Sequence, residues 1–214
     1  MNRQERSCNP WSYSYRPNAL TQRLDSEILR KAQVAARTLA LAEAQTWIET
    51  ELNGYKSGDS APPDRLLTGR IVAWNPYHRW IPVIFQDSRE GAYLSKCFVG
   101  QPVGELEGLV KHGKTTLQFP FSSETELRSM KGLDAPLQPT RHLSRSSVSG
   151  ILDAVRNMVL EWCLQLERNG ILGEGLVFSG KEKEASAHSN YTINYNTQSL
   201  TPKSSNVAHT RCKL

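Results

Sequence analysis

The chain has 214 residues, 38% of them apolar and 22% charged, and a formal net charge of +5. That length holds one domain of ordinary size with tails, or at most two small ones. No apolar run approaches the eighteen or more residues of a membrane-spanning helix. Lys and Arg are interspersed with acids, as in RLDSEILRK and EGLVKHGK, so the composition argues against a concentrated basic footprint for nucleic acid.

Residues 1–19 are polar, with Trp11, Tyr13 and Tyr15 alternating between Pro10 and Pro17. They read as a flexible arm without the apolar h-region of a secretory signal, and a cytoplasmic location is the expectation. Residues 20–54 are helical by pattern. Leu24, Ile28, Ala32, Ala35, Leu39 and Ala42 form one stripe, and Ala44, Ile48 and Leu52 with Trp47 form a second. The phase shift near Leu41 fits one long helix or two short ones, and Asn53-Gly54 is a stop signal. Residues 56–64 are a loop by composition.

Residues 65–85 predict a β-hairpin, RLLTGRIVAW and RWIPVIF joined by NPYH, with Pro82 confining the second arm to a sheet edge or a bulge. QPVGELEGLV (101–110) predicts a short helix ended by Gly113, TTLQFPF (115–121) a short strand, and SSETELRSMKGL (122–133) a helical turn or two. The longest helix is predicted over 144–169, with Ser147 as its N-cap and Asn169-Gly170 as its stop. Val148, Leu152, Val155, Val159, Trp162 and Leu166 form a heptad-like stripe that Ile151 and Met158 widen. ILGEGLVFS (171–179) is apolar enough to pack back on the core, and residues 181–214 read as a disordered polar tail. The fold class is α+β, with the helices shielding the apolar face of the hairpin and a single domain over 20–180.

Taken together, LRKAQVAARTLALAEAQTWIETELNGY (29–55), RLLTGRIVAWNPYHRWIPVIF (65–85), QPVGELEGLV (101–110), LQFPFS (117–122) and the block 144–183 resemble, in order, the AbiTii domain family of bacterial phage-defence proteins. The resemblance implies abortive infection, in which an infected cell stops growing or dies before phage is released. It brings no catalytic residue set with it. It departs from the family pattern at the end, where YTINYNTQ runs into SSNVAHTRCKL, as a truncated or frame-altered tail would.

No His follows an Arg at the five-to-seven-residue spacing of HEPN ribonucleases. Asp87, Glu90 and Lys96 lack the tight carboxylate-x-Lys element of metal nucleases and read as a solvated loop. GQPVGELEG matches neither a P-loop nor GxGxxG, and no GxSxG occurs. Four scattered cysteines without a CxxC argue against zinc, and Cys163 reads as a small core residue. No metal or cofactor is expected.

Three groups of side chains remain as candidates. Arg30, Lys31, Glu51, Asn53 and Tyr55 form a polar pocket if the helical region folds back on itself; the plainer reading is a salt bridge and a cap. Asp153, Arg156, Asn157 and Glu161 share one face of the last helix, as a solvated side would. The hairpin tip carries Trp74, Tyr77, His78, Arg79 and Trp80, types that dominate binding hot spots and also stack on bases, unless the tryptophans turn inward. The function read from these features is a sensor, adaptor or assembly module that binds a protein partner, a second copy of the chain included, without contacting a membrane. The alternatives are an enzyme effector such as a nuclease with a non-standard site, or a nucleic-acid-binding domain.

Overall fold

The computed structural model describes residues 25–58, 61–85, 87–112, 114–121 and 137–187. The N-terminal arm, Leu24, the helix stop at Gly113, the 122–133 segment and residues 188–214 lie outside them. Among the described residues there are six α-helices and two antiparallel sheets, an α+β fold.

The first helical region divides into α1 (Asp25–Thr38) and α2 (Ala42–Asn53). The joint is a Schellman turn: Leu41 N–H bonds to Ala36 O, Ala40 N–H to Arg37 O, and Ala40 takes φ +56°. The two helices then fold back on each other, and Gln33 and Arg37 both reach the Glu49 carboxylate. At the end of α2 the Asn-Gly stop has a second cause. Tyr55 N–H bonds to Gly100 O, and a Cβ on Gly54 would lie 2.7 Å from that oxygen.

The predicted hairpin arm is two strands, not one. β1 (Leu66–Thr68) pairs with β4 (Lys96–Phe98) in a small sheet. The chain then breaks at Gly69, where a side chain would crowd Leu143 and Arg141, and continues as β2 (Arg70–Asn75). β2 pairs with β3 (Arg79–Pro82) and with β6 (Pro139–Ser144), which pairs in turn with β5 (Thr116–Pro120). The order β3-β2-β6-β5 leaves Pro82 on an edge strand, where its missing N–H costs nothing. The sequence reading did not find β4 or β6.

The segment of Asp87, Glu90 and Lys96 is a helix running into a strand rather than a solvated loop, with Lys96 the first residue of β4. Asp87 caps α3 (Ser88–Ser95) by accepting the Arg89 N–H at 2.8 Å. This helix, not the terminal helices, covers the hairpin's apolar side: Leu94 packs with Ile71 and Phe121 in a small cluster of its own. Arg141 bolts it down, donating to Leu94 O at 2.7 Å while its guanidinium lies 3.9 Å over the Phe121 ring.

The main core lies among α1, α2, α4 (Val103–His112) and α5 (Arg145–Arg168), with Cys97, Val99, Leu117 and Leu143 contributed by strands and their ends. The heptad-like stripe of α5 is buried here within the chain, Trp162 and Leu166 included. Ser144 caps α5 rather than Ser147; its Oγ accepts the Ser147 N–H, which puts Ser147 three residues inside the cap. At the other end Gly170 (φ +74°) closes a second Schellman turn, and Ile171 behind it is fully buried, as is usual for the hydrophobic contact of that motif.

Residues 181–187, assigned to the polar tail by sequence, belong with Gly180 to α6 (Gly180–Ala187). Polar bonds hold it where apolar mass is lacking. Ser179 and Glu182 make a capping box, and the Glu182 carboxylate also accepts the Leu172 and Gly173 N–H groups. These bonds, Gly173 first, hold its pKa down to about 2. Ser186, buried, donates to Leu39 O at the end of α1.

Candidate functional site

The first polar group is a buried lock. Of the five residues proposed for a pocket, only Glu51 and Tyr55 meet. Glu51 is fully buried and receives the Tyr55 hydroxyl at 2.6 Å and a guanidinium bond from Arg65. Arg65 also donates to Val99 O and Gln101 O, at 3.1 and 2.7 Å, with its guanidinium 5.1 Å from the Tyr55 ring centroid. Arg30 is exposed, Lys31 bonds to Glu27, and Asn53 donates to Glu49 O on its own helix. The lock ties the end of α2 to the segments before β1 and after β4. It has no open side for a substrate, because Arg65 and Glu51 are 1% and 0% exposed.

The second group is a knot at the start of α1. Arg156 bonds to both oxygens of Asp25 and to Asp153, while Ser26 donates through N–H and Oγ–H to Glu107 of α4. Burial raises the Asp25 pKa and outweighs the lowering by Arg156. Asn157 stays exposed on the α5 surface, and Glu161 faces Arg168 at 3.5 Å instead of joining the knot. Among the described residues, no three His, Cys, Asp or Glu side chains are placed as metal ligands. Burial raises the Cys163 pKa to about 12, with Glu167 adding to the shift, as suits a thiol packed against the core.

The third group is different in kind. In a strand, alternate residues face opposite sides. Ile71, Ala73, Leu117 and Leu143 are buried on one side of the four-stranded sheet. Arg70, Trp74, Trp80, Gln118 and Ser144 on the other side are exposed, with Val72, Thr140 and His142 between them. Trp74 and Trp80 are paired across the strands with their rings edge to face, centroids 5.1 Å apart, and Trp80 meets His142 in the same manner at 4.8 Å. Trp80 stands level with Trp74, and His142 level with Arg70. Their contact therefore spans the row between, which is why Val72 and Thr140 are buried on an otherwise open face. Burial, then Arg70, lowers the His142 pKa and favours its neutral form.

Both indoles remain in part accessible, Trp74 at 44% and Trp80 at 37%, so they have not turned inward. Beyond them the hairpin turn is built on Asn75, whose Oδ1 accepts the Tyr77 and His78 N–H groups. Tyr77 is 92% exposed, and His78 is exposed beside it. Arg79 closes the turn with φ +62°, a left-handed backbone that costs a non-glycine residue about 1–2 kcal/mol. The arginine is held where glycine would fit with less strain.

A family model, AbiTii, matches residues 19–191. The chain belongs to the AbiTii family. No curated protein and no solved structure shows significant similarity to it. AbiTii membership supports a role in abortive infection and phage defence. Among the described residues of this AbiTii chain no helix is long and apolar enough to cross a membrane.

Sequence reasoning found the tip of this AbiTii protein's open face but missed Arg70 and His142, which complete it. A strand reading of PTRHLS would have placed His142, and Pro139 at its start hid that signal. Arg65, Asp25 and Glu107 were missed because their partners are distant in sequence.

Proposed function

We propose that this AbiTii protein acts in abortive infection as a cytoplasmic sensor or adaptor, and that it recognises its partner on the open face of the four-stranded sheet. The observation that carries this reading is the pair Trp74–Trp80, two half-exposed indoles on a surface of their own. Leaving them in water forgoes on the order of 1–2 kcal/mol of burial per ring, and Trp, Tyr and Arg are the residues that most often carry binding energy. The polar groups that resemble catalytic machinery are bonded to one another instead. Glu51 pairs with Arg65, and Asp25 with Arg156.

The test is a phage challenge of cells carrying wild type, Trp74→Ala with Tyr77→Ala, or Arg156→Ala, at matched protein levels. The expected result is lost protection for the tip variant alone. Full protection by the tip variant at wild-type abundance would overturn the reading.

A further inference from the structure

We propose that the open face of the four-stranded sheet binds single-stranded nucleic acid; this assignment rests on that face being the recognition surface. Three observations converge on it. The first is the aromatic arrangement. Trp74 and Trp80 meet edge to face, as do Trp80 and His142, so the rings do not cover each other as a parallel stack would. Unpaired bases stack on exposed rings of this kind, whereas a duplex keeps its base faces to itself.

The second is charge. The strands RIVAWN, RWIP, TLQFP and PTRHLS and the turn PYH contain no Asp or Glu. Arg70, on the same face as the tryptophans and level with His142, is exposed and placed to meet a phosphate beside stacked bases. The third is the polar complement. Gln118 lies exposed on the same face, beside His142, and offers a donor and an acceptor to base edges. A second copy of this chain fits less well. In a two-fold pair the face would meet itself, and its arginine would oppose a like charge with no acid in the strands to answer it.

The full-length protein is titrated against fluorescently labelled 12-mers of oligo-U and oligo-dT and against a 12-base-pair duplex, with anisotropy as the readout. The expected result is binding of one or both single strands in preference to the duplex. Trp74→Ala and Trp80→Ala should each weaken it roughly 5- to 150-fold. With one phosphate contact, raising salt from 50 to 200 mM should weaken binding about 2.6-fold, and Arg70→Gln should reduce the log–log slope by about 0.7. Tyr77→Ala and Arg70→Gln alter exposed side chains, so weaker binding by either supports the site even if a tryptophan variant folds poorly. Preference for the duplex, or affinity unchanged in all four variants, would overturn the proposal. So would no binding of either strand, or a concentration-dependent dimer that Trp80→Ala abolishes while oligonucleotides do not bind. In those last two cases the phage challenge still judges the face: protection lost in the tip variant keeps the recognition reading and discards only its ligand.

Discussion

The helical layer and the sheet treat polar and aromatic groups in opposite ways. Among α1, α2, α4 and α5 the residues that look chemical are turned inward and bonded: Glu51 to Arg65 and Tyr55, Asp25 to Arg156, Glu107 to Ser26. On the four-stranded sheet the residues that look like core, Trp74 and Trp80, are left outward. Buried charge needs a partner or it destabilises, so the first pattern is architecture. Exposed aromatic surface needs a reason, and the second pattern is where function is sought.

Substitutions should separate the two regions. The largest effect is expected at the lock: Glu51→Ala leaves Arg65 buried without its carboxylate and should cost about 3–5 kcal/mol in urea unfolding. Glu51→Leu combined with Arg65→Met should cost less than Glu51→Ala, because no buried charge is stranded. At the knot, Arg156→Ala should cost about 1–3 kcal/mol by the same measurement. Asp25 and Glu182 bring opposite pH dependence. The raised Asp25 pKa means the folded chain keeps a proton that the unfolded chain loses, so stability falls as pH rises just above 3.8, and Asp25→Asn should remove that slope. The depressed Glu182 pKa works the other way. Its contribution is complete above about 4.5 and is lost as pH falls toward about 2, which hydrogen exchange across 172–187 should register as faster opening. Ala40→Gly should stabilise by about 0.5–1 kcal/mol, because Ala40 is in a left-handed conformation. Tyr77→Ala on the open face should change stability by less than about 0.5 kcal/mol.

Much of this fold was legible in the sequence where the signal is local. The stripe of α5 and its Asn169-Gly170 stop were readable because Gly170 is the residue a Schellman turn prefers. The equivalent turn at Ala40 is not, since alanine carries no such signal and the pattern fits one helix as well as two. The sequence of α3 reads as a loop, since its eight residues bury only Leu94 and give no stripe to follow. α6 was read as tail because polar caps rather than apolar residues hold it. The hairpin tip was legible in composition, as a run of Trp, Tyr, His and Arg. Its extension to Arg70 and His142 was not, because strand pairing across some seventy residues creates that face.

The claim that the sheet's open face is the functional surface is tested most directly by measuring phage protection and unfolding free energy together for Trp74→Ala with Tyr77→Ala, beside Arg156→Ala. The expected result is a tip variant that stays within about 1 kcal/mol of wild type yet no longer protects, and an Arg156→Ala protein that is less stable yet protects at equal abundance. Protection that follows stability across both variants, with the tip variant still active, would contradict the account.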